Sequence, residues 1–152
     1  MEQVKIAITQ QDNSLTIMSI VLNDGNGINR KFTNELVVDE VEKSRINAKS
    51  WRLITDADLI KDREFRNAWK DENNKIDIDI EKAKNIHIDN LRIKRADLLS
   101  KLDIEYIKAD ENNDITKRNE IIQRKNILRD ITKDPRIDAA TNIEELKKVK
   151  VE

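Results

Sequence analysis

The chain has 152 residues, of which 39% are charged and 38% hydrophobic, with a formal net charge of −1 and no cysteine. That length holds one domain, or a small head joined to a helical part. The missing cysteines exclude disulfides, thiol chemistry and thiolate metal sites, and the near-zero charge argues against wholesale coating of nucleic acid. No apolar run approaches the roughly 18 residues of a membrane span, and Met1-Glu2-Gln3-Val4-Lys5 has no signal-peptide layout, so a soluble protein is expected. The apolar share lies below the usual 45–50% or so, and the aromatic residues are Phe32, Trp51, Phe65, Trp69 and Tyr106. So thin an apolar supply suits a helical hairpin or an oligomer better than a compact sphere.

The first elements read as strands. Val4 to Thr9 alternates apolar and polar residues, the period of a half-buried strand, and Leu15 to Val21 reads as its return. Gln10 to Ser14 supplies the turn formers between them, so a β-hairpin is expected. Asn23-Asp24-Gly25-Asn26-Gly27 contains both glycines of the chain and reads as a loop. Asn34 to Ser44 predicts a short helix capped by Asn34, with Leu36, Val37, Val38 and Val41 recurring on one side. Trp51 to Ile54 predicts a third strand. Asp56 to Leu59 then reads as a turn, Asp62 to Trp69 as a short helix carrying Phe65 and Trp69 four apart on one face, and Asp71 to Asn74 as a solvated break.

From Asp79 the pattern changes to helix. Residues 79 to 113 contain neither Gly nor Pro, and Asp79 suits the N-cap. Ile80, Ala83, Ile86 or His87, Leu91, Leu98, Leu102, Tyr106 and Ala109 fall near three-and-four spacing, the mark of a coiled-coil-like seam. Lys94 and Arg95 interrupt that seam. Ile88, Ile93, Leu99, Ile104 and Ile107 widen the apolar face, which suits a hairpin that also oligomerises. Asp110 to Asp114 reads as the turn into a second helix, capped by Asp114 and buried along Ile115, Ile121, Ile122, Ile127, Leu128 and Ile131. Pro135 ends that helix at Asp134. A last short helix starts at Thr141 with Thr141-Asn142-Ile143-Glu144 as its capping box.

The expected fold is therefore α+β. A small β-rich head with one helix occupies 1–55, a linker with a short helix 56–78, a long antiparallel helical hairpin 79–133, and a short C-terminal helix with its tail 134–152.

Reactive chemistry has little to work with. His87 is the only histidine and lacks the neighbours of a ligand set or a general base, so it reads as a seam or surface histidine. Asp77 and Asp79 are spaced like paired acids, but a helix start accounts for them better. The Asn23–Gly27 loop lacks the ligands and closing glutamate of a calcium loop. No catalytic residue, cofactor site or metal site is expected, and no enzyme.

Two surfaces stand out for binding instead. Arg63, Phe65, Arg66 and Trp69 combine the residue types that dominate protein interfaces; Phe65 and Trp69 equally suit a plug at the joint between head and hairpin, and both uses can hold together. With Leu91, Leu98, Leu102 and Tyr106 of the seam they make up the expected protein interface. Lys117, Arg118, Arg124, Lys125 and Arg129 form a basic face on the second helix that could meet nucleic acid; Asp89, Asp97, Asp103 and Glu105 on the long helix offer ion-pair partners for the same cations.

The segments Asp62-Arg63-Glu64-Phe65-Arg66-Asn67-Ala68-Trp69, Ile78-Asp79-Ile80-Glu81-Lys82-Ala83, Leu102-Asp103-Ile104-Glu105-Tyr106, Leu128-Arg129-Asp130-Ile131 and Ala140-Thr141-Asn142-Ile143-Glu144-Glu145-Leu146-Lys147 resemble a run of small tailed-bacteriophage proteins described as tail proteins or tail (fibre) assembly chaperones. The likeness spans roughly Trp51 to Lys147 and carries no residue of known chemistry. It implies a phage origin, a location in the virion or host cytoplasm, and a protein–protein role whose partners are further copies of the chain or phage tail or fibre proteins, with no membrane. The alternative is a small phage-encoded nucleic-acid- or host-factor-binding protein that uses the basic face.

Overall fold

The computed structural model describes residues 1–151, and it is α+β. The chain divides into two compact units, the first from Met1 to Asp79 and the second from Ile80 onward.

The first unit is built on one antiparallel sheet. Strands β1 (Glu2–Gln10), β2 (Leu15–Asn23) and β3 (Ala48–Ile54) lie in the order β2-β1-β3. Alternation along the central strand β1 divides its side chains between two layers. Ile6 and Ile8 point to one face, where they form a core with Ile20, Leu22, Val37 and Val41. Ala7 points to the other and packs with Ile54, Trp69 and Ile76. Register follows from that alternation: Ile6 stands opposite Met18 on β2 and Leu53 on β3, and Ile8 opposite Thr16 and Trp51. A slip by one residue would turn the isoleucines out of their core.

Helix α1 (Asn34–Lys43) covers the Ile6/Ile8 face with Val37 and Val41. Its cap is Thr33, whose hydroxyl accepts from the Leu36 amide at 3.1 Å; Asn34, expected as the cap, is the first helical residue. Either side chain can cap, but only Thr33 has the extended backbone that the position requires (φ −141°, ψ 162°).

The stretch after Thr55 departs most from expectation. Instead of a helix over Asp62–Trp69, only a single 3₁₀ turn forms at Arg66–Ala68, and Trp69 opens a second β-hairpin, β4 (Trp69–Glu72) with β5 (Lys75–Ile78). Asn73 and Asn74 form its two-residue turn, both with positive φ (52° and 61°). Asparagine tolerates that conformation best after glycine, and two such residues give the turn that matches strand twist. The segment expected as a solvated break is thus a tight turn, and Trp69 and Ile76 reach the sheet's second face from a strand pair. Arg52 joins β3 to β4 by a two-pronged bond to Asp71, at 2.6 and 3.1 Å, which raises the Arg52 pKa above its ordinary value.

The second unit is helical. Helix α2 (Ile80–Glu111) runs 32 residues, about 48 Å at 1.5 Å per residue. Asn113, at φ 56°, turns the chain into α3 (Ile115–Asp130), whose N-cap Asp114 accepts from the Lys117 amide at 2.9 Å. The hairpin core joins Leu102, Ala109, Ile121 and Leu128, flanked by Leu98, Leu99 and Tyr106.

After α3 the chain does not simply stop at Pro135. The proline is the first residue of α4 (Pro135–Ala139), where its missing N–H costs nothing, and Asp134 caps that helix. Helix α5 (Ile143–Lys147) is capped by Asn142, not Thr141: the Asn142 side chain accepts from the Glu145 amide at 3.0 Å. The glutamate that reaches back is Glu145, which accepts from both the amide and the hydroxyl of Thr141 and is held below its usual pKa by those bonds. Leu146 and Val149 are buried, and His87 of α2 bonds through Nε2 to the Val149 carbonyl at 2.8 Å, fixing this terminal segment to the long helix.

Candidate interaction surface

The residues expected at a protein interface separate into two groups. Phe65, Trp69, Leu91 and Leu102 are buried within the chain itself, and Leu98 and Tyr106 pack against the hairpin core. Arg63 and Arg66 are exposed. The expected seam is therefore the inner side of α2, taken up by α3 and the C-terminal segment rather than open to another chain. The pairing of Phe65 with Trp69 on a helical face also falls away, since the first precedes a 3₁₀ turn and the second starts β4.

Arg95, which interrupts the seam in sequence, has a structural task. Its Nη1 donates to the carbonyls of Arg129 at 2.6 Å and Leu128 at 3.4 Å and to the Thr132 hydroxyl at 3.2 Å. These are the unsatisfied carbonyls at the end of α3, where a cation is favoured by the helix dipole.

The basic residues of α3 do not form one open face. Arg118 and Lys125 cross the hairpin to Asp110 and Asp103 of α2; among the described residues only Asp103 of the four acids expected as partners takes that role, and Asp89 pairs with Arg92 of its own helix. Lys125 also lies over the Tyr106 ring, 5.6 Å from its centroid. Lys117 pairs with Glu120, and Arg129 donates to Asn126. Arg124 lines an open groove of about 300 Å³ between the helices, with Leu98, Leu102, Ile127 and Leu128. The five cations thus sit on two flanks of α3, most of them engaged within the hairpin.

What the hairpin does present to solvent is isoleucine. On α2, Ile93, Ile104 and Ile107 are 70%, 56% and 57% exposed, and on α3 Ile115, Ile122 and Ile127 are exposed as well. Single exposed apolar residues are ordinary. Those of α2 are not scattered, however. Ile86, Ile93, Ser100 and Ile107 recur every seven residues, and Ile104 completes the last turn of the same face. Seven residues fall about 20° short of two full turns of a straight helix, so these positions form one slowly drifting stripe. It runs opposite the side on which Ala83, His87, Leu91 and Leu102 are buried.

Two rows of charge flank the stripe, also at intervals of seven. Lys94, Lys101 and Lys108 form one edge; Asp89, Asp103 and Asp110, with Ala96 between, form the other. All are exposed. In the sequence Ile86 shares a seam position with His87, and Ile93, Ile104 and Ile107 only widen the apolar face. The signal that separates the stripe is the common seven-residue interval of isoleucine, lysine and aspartate.

His87 is buried and engaged with Val149. Asp77 is on β5 and Asp79 immediately precedes α2. The Asn23–Gly27 loop holds itself together: Asp24 accepts from the amides of Asn26 and Ile28 at 2.8 and 2.9 Å, which lowers its pKa from the usual value. Among the described residues, no cluster of three or more His, Cys, Asp or Glu side chains is placed to hold a metal ion, and no helix is long and apolar enough to cross a membrane. Neither a family model, nor a curated protein, nor a solved structure matches the chain.

Proposed function

We propose that this chain is a non-enzymatic component of a tailed-bacteriophage tail, structural or assisting in its assembly, and that it works through protein–protein contacts of the α2–α3 hairpin. The observation that carries the reading is the exposed isoleucine of the hairpin, above all the stripe of Ile93, Ile104 and Ile107. A large aliphatic side chain gains about 1.5–3 kcal/mol when fully buried, so several such residues along one helix give a partner chain a substantial gain. The inner side of the same helix is already satisfied by α3, which leaves the hairpin a stable support for its outer side. The tail assignment rests on the resemblance of Trp51 to Lys147 to small phage tail proteins.

Mass spectrometry of purified phage particles and of tail intermediates from infected cells tests this reading. A fixed copy number in particles is expected of a structural part, and presence only in complexes with tail or fibre proteins is expected of a helper. Absence from both overturns it.

A further inference from the structure

We infer that the outer stripe of α2 pairs with the same stripe of a second copy of the chain, the two α2 helices running parallel and in register. This rests on the hairpin being a protein-contact element and names the partner.

The assignment follows from the heptad. Placing Ile86, Ile93, Ser100 and Ile107 at position d puts Asn90, Asp97, Ile104 and Glu111 at position a. Position e is then His87, Lys94, Lys101 and Lys108, and position g is Asp89, Ala96, Asp103 and Asp110. Beyond the buried His87, one edge of the stripe is entirely basic, and the other carries acids in three of its four places. In a parallel pair, each g residue meets the e residue five positions later on the partner helix. Asp89 then faces Lys94 of the other copy and Asp103 faces Lys108, and two-fold symmetry makes each contact twice. An antiparallel pair sets e against e and g against g, lysine on lysine and aspartate on aspartate. The charges at the e and g edges therefore favour the parallel orientation over the antiparallel one.

The ion pairs within the chain agree with this. Lys94, Lys101 and Lys108 make no ion pair among the described residues. The aspartates bond within their own chain, Asp89 to Arg92, Asp103 to Lys125 and Asp110 to Arg118, but remain exposed. A carboxylate has room for a second cation. At the a positions Asn90 fixes the register, as asparagine there does, while Asp97 and Glu111 each meet their own copy and weaken the pairing. The expected dimer is thus a weak one that forms at high concentration or on an assembling structure.

Sedimentation equilibrium across a concentration series reads the pairing. The full chain should go from monomer to dimer toward high micromolar concentration. Ile93→Asp with Ile107→Asp, both at exposed sites, should weaken the dimer about a hundredfold and leave thermal melting of the monomer unchanged. Lys94→Glu with Lys108→Glu should weaken it about tenfold, and so should Asp89→Lys with Asp103→Lys. Mixing those two charge-reversed chains should restore a dimer, because each acidic edge again meets a basic one. Local damage to the hairpin would not be repaired by mixing.

Orientation is read by Ile107→Cys in this cysteine-free chain. A parallel pair brings the two thiols together and crosslinks on oxidation; an antiparallel pair holds them apart. A wild-type chain that stays monomeric, a dimer that survives the double aspartate change, failure of the mixture to associate, or absence of the crosslink in a proven dimer each overturns the inference. A monomer that still accompanies tail components removes the self-pairing and leaves the proposed function standing.

Discussion

Ile121→Ala and Ile127→Ala make the sharpest test of how the hairpin is held together. The two isoleucines lie on the same helix, but Ile121 is 0% exposed between Leu102, Ala109 and Leu128, and Ile127 is 66% exposed. Truncation removes three carbons, worth about 2.5 kcal/mol at roughly 0.8 kcal/mol each when buried. A cavity adds to that, and the cost for Ile121 should be about 3–4 kcal/mol, inside the usual range of about 2–5 for such changes in cores. Alanine is the better helix former by a few tenths of a kcal/mol, a gain common to both sites. Ile127→Ala should therefore fall within about 0.5 kcal/mol of wild type. Urea unfolding followed by circular dichroism at 222 nm, in dilute protein, measures both. With a slope of about 1.5 kcal/mol per molar, the midpoints of the two variants should differ by about 2 M. A difference equivalent to less than about 1 kcal/mol would refute the assignment of Ile121 to the core and Ile127 to solvent.

Three further outcomes follow from single contacts. Arg52→Ala should cost about 1–3 kcal/mol because it strands the Asp71 carboxylate between β3 and β4, whereas Lys43→Ala at the exposed Asp39–Lys43 pair should cost under about 0.5; tryptophan fluorescence reads this unit selectively, since Trp51 and Trp69 are the only tryptophans and both lie in it. Asp134 has its pKa lowered from 3.8 to about 2, chiefly by the Arg136 side chain. A carboxyl depressed by folding contributes stability that is fully present above 3.8 and is lost as pH falls through about 2, so NMR titration of its carboxyl carbon should show a midpoint near the lower value, and a midpoint near the upper one would count against the pair. His87→Phe should raise the exchange rate of the amides from Leu146 to Val149 by about tenfold or more, through loss of the bond to the Val149 carbonyl; unchanged exchange would mean that apolar packing alone holds the segment.

The elements that were legible in the sequence are those whose period is long or whose turn chemistry is unambiguous. Val4–Thr9 alternates for several residues, Leu15–Val21 returns beyond an Asp-Asn-Ser turn, and the two pair as read. The 32-residue helix followed from the absence of Gly and Pro, and Asp114 caps α3 as its position suggested. The departures in secondary structure and capping lie where a local signal has two meanings. Phe65 and Trp69 stand four apart, which fits a helix, but Trp69-Lys70-Asp71-Glu72 and Lys75-Ile76-Asp77-Ile78 around Asn73-Asn74 also fit a hairpin. Burial of Trp69 and Ile76 against the second face of the sheet decides for the hairpin, and that is a long-range fact no window of eight residues contains. Thr33 against Asn34, and Asn142 against Thr141, are adjacent capping residues of equal aptitude, separated only by backbone conformation.

The stripe on α2 was hidden for a different reason. The inner seam and the outer one interleave along the same 32 residues, so summed together they read as a single broad apolar face. Their chemistry separates them. The inner side is leucine and alanine around His87, and the outer one is isoleucine. Isoleucine is a poorer helix former than the Ala, Lys or Glu that exposed positions favour, by roughly 0.4 kcal/mol each, because its branched β-carbon loses rotamer freedom against the preceding turn. Left in water, Ile93, Ile104 and Ile107 thus weaken the helix and gain no burial in return. A local rule broken repeatedly on one face, with unpaired lysines along its edge, is the pattern on which the proposed contact rests. The core of the hairpin accounts for Leu98 and Leu102, and it does not account for the isoleucines, which the proposed pairing would bury.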